Sequence, residues 1–382
     1  MNILFVIDDF FATNNGTSIS AQRFTEELRR RGHEVRVLTY APEQSVYKTI
    51  YCVPEWHIPF FDDLIHSYAI CLAKPDNGVI TRALQWADVA HCMMPFLLGA
   101  RTKQIADTMG VPTTAAFHIQ PENISSAFGL GKIKWINNLI YRLFRRYVYD
   151  RYTHVHTPSR FMKDTLKVHR YKADIRAISN GIAADFVYRR ANRKRAEWTD
   201  KIVITMVGRL SREKRQDVLI DAVAQSRYRD RIQLVLAGKG PLRAQYEAQA
   251  ERLNLPNRPV FGYYSKEELL DVLAETDLYV HASDMESEAI SCIEAFSTGL
   301  VPVIAKSDAS ATPQFAIDGR SLFRPGDSRD LAAHIDYWLD HPEERETMGR
   351  RYAAMAEQYR LETSVSQFET MLQDAIATQS AR

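Results

Sequence analysis

The residues best placed to do chemistry are two acids and two bases. Glu286 closes a loop, and Glu294 follows inside a helical pattern after seven intervening residues. At about 1.5 Å of rise per helical residue, the two carboxylates lie roughly 8 Å apart. A helix that starts between them turns free backbone N–H groups and the positive end of its dipole toward the loop, which favours a bound phosphate. Carboxylates on either side would accept hydrogen bonds from hydroxyls. Phosphate flanked by two polyols describes a nucleotide sugar, with ribose on one side and hexose on the other. Acids near a helix start also serve the dipole alone, so the pair gains meaning from Arg209 and Lys214. These cations follow the strand-like run 202–207, where they would neutralise the charge that grows as a nucleoside diphosphate departs.

The elements that must hold these groups follow from the hydrophobic pattern. Leu278-Tyr279-Val280-His281-Ala282 reads as a buried strand, the next stretch as a loop and a helix stopped by Gly299, and Val301-Pro302-Val303-Ile304 as a second strand. The N-terminus shows the same order: strand 2–7, a turn-rich loop, a helix over 18–31 with Phe24 and Leu28 on one face and Gly32 as its stop, and strand 35–39. Such units are of doubly wound type, in which ligands sit at the carboxyl ends of the strands. Further strands are predicted at 89–92, 113–117, 155–159 and 177–181, and in the second half at 202–207, from 234 and from 260. Helices over 328–339, 342–359 and 362–377 close the chain.

With 382 residues there is room for two domains, each with its own core. A net charge of +2, with 25% charged and 46% hydrophobic residues, excludes a disordered or nucleic-acid-coating chain. No apolar run has the length of a membrane span, and Met1 leads straight into a strand without a signal-peptide pattern, so a cytoplasmic location is expected. Cys52, Cys71, Cys92 and Cys292 are scattered singly in apolar segments and read as buried thiols. Asp8-Asp9 and Asp62-Asp63 have no supporting ligands around them, so neither a metal nor another cofactor is expected.

Four other features have both a functional and a plain reading. Gly16 would let backbone approach a ligand closely, or is an ordinary loop glycine. His118, just past a strand end, could touch a ligand, as could His91; either could equally be a hydrogen-bonded core residue. From 132 to 151, Lys132, Lys134, Arg142, Arg145 and Arg146 interleave with Trp135, Leu139, Leu143 and Tyr147 at helical spacing. That helix could rest on an anionic membrane surface, or lay its apolar side on the sheet and solvate its arginines. Residues 188–200 are polar, basic and without apolar periodicity, and read as a linker.

In combination these motifs resemble the retaining glycosyltransferases of family four. Gly208-Arg209-Leu210 with Glu213-Lys214 is similar to the family's basic diphosphate site, and Glu286 with Glu294 to its paired glutamates. Ser179-Asn180-Gly181 resembles its segment before the linker, Gly16 its N-terminal loop glycine, and His118 its histidine beside the transferred sugar. The resemblance implies a GT-B fold, α/β, with two Rossmann-like domains facing across a cleft. It assigns 1–187 to an acceptor domain, 188–200 to a linker and 201–360 to a donor domain, with the C-terminal helix, 361–382, crossing back to the first. It implies that Arg209 and Lys214 bind the diphosphate, Glu294 the ribose and Glu286 hexose hydroxyls. Backbone at Ile290 and Ser291 would add donors to the phosphate, Tyr263 would line the donor site, and His118 would stand near the reacting carbon. Where the family commonly has Gly-Phe-Gly-Leu, this chain has Ser287-Glu288-Ala289-Ile290, which bears on hexose identity. The expected reaction is α-transfer of a hexose, glucose from UDP-glucose, to a membrane lipid such as diacylglycerol, with peripheral association on the inner face of the cell membrane. A soluble saccharide or capsular glycan precursor is the other acceptor. A nucleotide-sugar 2-epimerase and a non-catalytic nucleotide-sugar binding protein are the rivals from other classes.

Overall fold

The computed structural model describes residues 1–12, 16–41, 49–57, 71–127, 130–131, 133–191 and 194–381. Its contacts divide into two units, Met1–Gly181 with Leu361–Arg382, and Ile182–Arg360.

In the first unit the chain runs β1 Asn2–Val6, α1 Gly16–Arg30, β2 Glu34–Tyr40, β3 Ile50–Val53, α2 Asn77–Trp86, β4 Val89–Cys92, α3 Leu97–Met109, β5 Thr113–Ala116, α4 Pro121–Ala127, α5 Lys134–Tyr147, β6 His154–Thr157, α6 Arg160–Val168 and β7 Asp174–Ala177. All the pairings between these strands are parallel, in the order β3-β2-β1-β4-β5-β6-β7. A parallel sheet is covered on both faces, so its strands are continuous apolar runs. Alternation along β1 sends Leu4 and Val6 into the core shared with Phe117 and Tyr141. Ile3 and Phe5 go to the opposite face, with Phe24 and Phe368.

The second unit repeats the plan with β8 Ile202–Val207, α7 Gln216–Gln225, β9 Ile232–Ala237, α8 Arg243–Arg252, β10 Val260–Gly262, α9 Lys266–Glu275, β11 Leu278–His281, α10 Ile290–Ser297, β12 Pro302–Ala305, β13 Leu322–Phe323, α11 Ser328–Asp340 and α12 Pro342–Ala356. Its parallel order is β10-β9-β8-β11-β12-β13. The last helix, α13 Leu361–Ser380, belongs to the first unit, where Val365, Phe368, Met371 and Leu372 enter the core and Glu369 pairs with Arg31 at 2.7 Å. In each sheet the strand order reverses beside its first strand, between β1 and β4 and between β8 and β11. Loops leaving two such neighbours diverge, and the crevice they open is where ligands of doubly wound folds bind.

Three expectations are corrected. The strand near the end of the first half is Asp174–Ala177, not 177–181. Residues 178–181 leave the sheet because Asn180 and Gly181 are committed elsewhere: Ser20 Oγ donates to Asn180 Oδ1 at 2.6 Å, and Gly181, at φ +76°, lies so close to Leu361 that a Cβ would stand 2.7 Å from its Cα. A strand, β3, occurs where none was read. The stretch 188–200, read as a linker, lies in the second unit, whose junctions are at Gly181/Ile182 and Arg360/Leu361. Three of its basic residues meet acids of α9 and the turn after it: Arg189 pairs with Asp271 at 2.9 Å, Arg195 with Glu275 at 3.0 Å, and Lys194 with Asp277. Trp198 is buried with the Arg195 guanidinium over its ring at 3.9 Å. Asp62-Asp63 lies outside the described residues.

Candidate active site

The second unit brings the predicted acids and bases to the β8/β11 switch point. The loop after β8 is zipped to the loop after β9: Gly208 N–H donates to Ala237 O and Leu210 N–H to Lys239 O, both at 2.9 Å. That closeness requires glycine on the β9 side, since a Cβ at Gly238 would stand 2.0 Å from Gly208 O and one at Gly240 2.2 Å from Leu210 O. Beyond a short 3-10 turn over Arg212–Lys214, Arg215 joins Asp217 at 3.1 Å and, across the crevice, Asp284 at 3.2 Å. Asp284 N–H also donates to Glu213 O at 2.8 Å. With the two loops locked to each other, Lys214 Nζ reaches Glu286 Oε1 at 2.5 Å.

Glu286 is 9% exposed. Burial alone would push its carboxyl upward, but the Lys214 charge and a hydrogen bond with His281 prevail and hold it well below the usual carboxylate range. The His281 bond is 2.9 Å, from Nε2 to the same Oε1, and Tyr279 Oη lies 3.3 Å from Nδ1. Glu286 O accepts from Ala311 N–H at 2.8 Å, which fixes the backbone carrying the acid. Ala289 then takes φ +72°, and α10 begins at Ile290, so the N–H groups of Ile290 and Ser291 are among those a helix start leaves unsatisfied. Ser291 Oγ donates to Val207 O at 3.2 Å, tying this helix start to β8. Glu294 lies in α10, buried like Glu288. The Ser283 hydroxyl and the Gln216 side-chain oxygen are buried here without hydrogen-bond partners among the described residues. Tyr263, following β10, is 57% exposed with Lys239 Nζ 4.0 Å from its ring centre. Sequence reasoning missed His281, whose only signal was a histidine inside an apolar run five residues before Glu286.

Gly16 and His118 belong to the first unit. Gly16 is the first residue of α1, with no described atom within 4 Å of where a Cβ would be. His118 is buried, its ring edge-on to His156 at 5.1 Å. His91 Nδ1 lies 2.7 Å from Thr114 Oγ1, and His156 Nε2 donates to Ile178 O at 2.7 Å. Burial lowers all three imidazoles, His156 to about 4. Along α5 only Asn137 and Tyr141 are buried, and Trp135, Leu139, Leu143 and Tyr147 are exposed beside Lys134, Arg142 and Arg146. Arg145, expected on that outward face, turns inward to His169 O at 2.9 Å and Asp150 at 3.7 Å, because the α6–β7 turn lies alongside. Lys132 lies outside the described residues. No described helix is long and apolar enough to cross a membrane.

Two parallel-sheet α/β units, one with cations and acids facing each other at its switch point, define the class: glycosyltransferases of the GT-B fold. Residues 14–186 match the family model Glycosyltransferase Family 4, and residues 188–355 match Glycosyl transferases group 1. The chain belongs to glycosyltransferase family four. It is 26% identical over 319 residues to a GDP-mannose-dependent alpha-mannosyltransferase of Mycolicibacterium smegmatis, covering 80% of this chain and 79% of that one. It is 26% identical over 325 residues to the alpha-monoglucosyldiacylglycerol synthase of Streptococcus pneumoniae, covering 80% and 71%. Among solved structures it shares its fold with Anabaena HepE in complex with UDP and glucose, at a TM-score of 0.76, 19% identity and coverage of 98% and 100%.

Proposed function

We propose that the protein transfers a hexose from a nucleoside diphosphate sugar to a lipid hydroxyl with α-linkage, with UDP-glucose as donor and diacylglycerol as the type of acceptor. The observation that carries the reading is the Lys214–Glu286 contact at the switch point. A cation from one loop against an acid from the other supports a site in which a diphosphate and its sugar would meet. In this reading Lys214 and Arg209 hold the diphosphate with the N–H groups of Ile290 and Ser291, Glu294 takes the ribose, Glu286 a hexose hydroxyl, and Tyr263 borders the donor. The acceptor oxygen forms its bond to the anomeric carbon as the bond to phosphate breaks on the same side, and the acceptor's proton passes to the departing phosphate. Most of the rate enhancement then comes from fixed charge on the leaving group. His118, held neutral by burial, would act as a hydrogen-bonding group rather than a cation. No metal or other cofactor enters this mechanism.

The lipid acceptor is supported by the name of the Streptococcus relative and by the outward face of α5. Exposed Trp135, Leu139, Leu143 and Tyr147 beside Lys134, Arg142 and Arg146 suit peripheral binding to an anionic bilayer. The Mycolicibacterium relative supports GDP-mannose as the second donor. A panel of sugar nucleotides incubated with diacylglycerol vesicles and soluble saccharides, with products read by mass spectrometry, tests the reading. Glucosylated lipid from UDP-glucose is expected. Product from GDP-mannose alone overturns the donor, product on saccharides alone overturns the acceptor, and conversion of UDP-N-acetylglucosamine without acceptor points to epimerisation. Sedimentation with anionic vesicles, lost when Trp135, Arg142 and Arg146 are replaced by Ala, tests the surface. Sedimentation indifferent to those changes overturns it.

A further inference from the structure

We propose that His281 is a positioning residue for transfer, holding the Glu286 carboxylate in place when Lys214 turns to the donor's diphosphate. The inference rests on the reading of Glu286 as the acid that meets the hexose.

His281 ends β11 and is fully buried. An ionised carboxylate only accepts hydrogen bonds, so the nitrogen 2.9 Å from Glu286 Oε1, Nε2, carries a proton. Nδ1 faces the Tyr279 hydroxyl at 3.3 Å, and Tyr279 is itself fully buried with its ring stacked on the imidazole at 6.1 Å. The imidazole therefore has little freedom to turn its donor away from Glu286. Lys214 and His281 both bond Oε1, which leaves Oε2 as the oxygen to meet a sugar hydroxyl.

The two donors differ in kind. Lys214 reaches across the crevice on a flexible stem and its side chain is 21% exposed, whereas that of His281 is 1% exposed and sits on the sheet. A diphosphate carries more negative charge than one carboxylate, so donor binding draws Nζ toward phosphate. Were Lys214 its sole partner, Glu286, still buried, would then be an unpaired carboxylate, an expensive state. His281 is the donor that stays, and it keeps Oε2 aimed.

The test compares His281→Leu, His281→Asn and His281→Gln, each with Glu286 intact and with Glu286→Gln. Readouts are kcat and KM for the sugar nucleotide that the wild-type chain turns over, and the Kd for UDP, which has no hexose. Losing a hydrogen bond to a charged group corresponds to roughly 10- to 100-fold. His281→Leu is expected to lower kcat/KM by that factor while UDP binds within about threefold of wild type. His281→Asn, too short to reach Oε1, is expected to match it. His281→Gln, whose amide nitrogen reaches close to the Nε2 position, is expected to recover most of the loss. With Glu286→Gln in place, His281→Leu is expected to add nothing. Equal loss in the Asn and Gln variants, UDP affinity falling in step with kcat/KM, or losses that multiply in the double variant each overturn the proposal, and the Asn–Gln comparison decides even where His281→Leu fails to fold. Unchanged kcat/KM in Glu286→Gln alone overturns the reading of Glu286 and this inference with it.

Discussion

Lys214→Met removes the cation from the switch point and leaves a carboxylate behind. Stripping one partner from a buried ion pair costs about 3–5 kcal/mol. Here the side chains of Lys214 and Glu286 keep 21% and 10% of their surface in solvent, and His281 stays on the same oxygen. The expected loss is therefore about 2–3 kcal/mol. Glu286→Gln keeps the hydrogen-bond acceptor and lets Lys214 swing outward, for about 1 kcal/mol. Because the double variant has no stranded charge, it is expected to cost about 1–2 kcal/mol, a coupling of about 2 kcal/mol between neighbours. Hydrogen exchange of the β8 and β11 amides reads the opening of the second unit without requiring both units to unfold together. The sign with pH gives a second check. In the wild type the folded Glu286 carboxyl lies below its unfolded value of 4.5, so its contribution is full above pH 4.5 and lost only as pH falls through the folded value. Without Lys214, burial raises that carboxyl, and the penalty eases as acid protonates it. The loss from Lys214→Met should thus be largest near pH 8 and smaller at pH 5. A loss under about 0.5 kcal/mol, strictly additive variants, or a loss that grows on acidification would refute the reasoning.

Other residues lead to separate expectations. His156, fully buried, drops from 6.5 to about 4, so the unfolded chain binds its proton first and stability falls as pH drops below about 6.5. From His156 alone the cost is about 2 kcal/mol by pH 5; thermal midpoints at pH 7 and 5 should diverge less in His156→Gln, and an unchanged divergence would count against it. Asp8, fully buried and pushed up to about 7 by burial, works oppositely, its stabilising protonation being lost as pH rises from 3.8 through 7. Asp8→Asn should therefore raise the midpoint at pH 8 and leave it nearly unchanged at pH 4. Ala289 sits at φ +72°, where a Cβ costs on the order of 1 kcal/mol. Ala289→Gly should be neutral or stabilising by urea unfolding and Ala289→Val destabilising, the reverse order showing that the backbone is not strained. Gly240→Ala forces a Cβ against Leu210 O and should weaken UDP binding tenfold or more by calorimetry, because it parts the loops that place Arg209.

Much of this was readable from residue pattern, and the unread parts have physical causes. Central strands such as β1, β8 and β12 are apolar and buried on both faces, so they register as runs whatever surrounds them, whereas the edge strands β3 and β7 are only partly buried and give no such run. Lys214 and Glu286 each lie just beyond such a run, which is why their loops could be placed although 71 residues separate them. Residues 188–200 were misread because a solvated basic linker and a basic segment paired with acids roughly 80 residues away have the same local composition. The α5 face was half readable. Its apolar spacing was plain, but whether Trp135 and Tyr147 point inward depends on what the neighbouring α4 and α6 leave uncovered. His281 was hidden by its position, since one polar residue in a buried strand gives no period, and only the chain's return after β11 shows that it meets Glu286.

The two units use one topology for opposite electrostatics. At the β8/β11 switch point, charge is concentrated: Lys214 on Glu286, and Arg215 joining Asp217 to Asp284. In the first unit, ionisable groups on or just past β1, β4, β5 and β6 lose charge instead, with His91, His118 and His156 held neutral and Asp8 raised to about 7, all by burial. Diphosphate binding needs fixed charges set out before the ligand arrives. An uncharged hydroxyl acceptor needs only hydrogen-bonding groups that do not compete for phosphate. Under the proposed function the second unit would take the donor and the first the acceptor. Had both switch points carried pairs like Lys214–Glu286, either could have bound the nucleotide, and that division would have to arise from something other than charge.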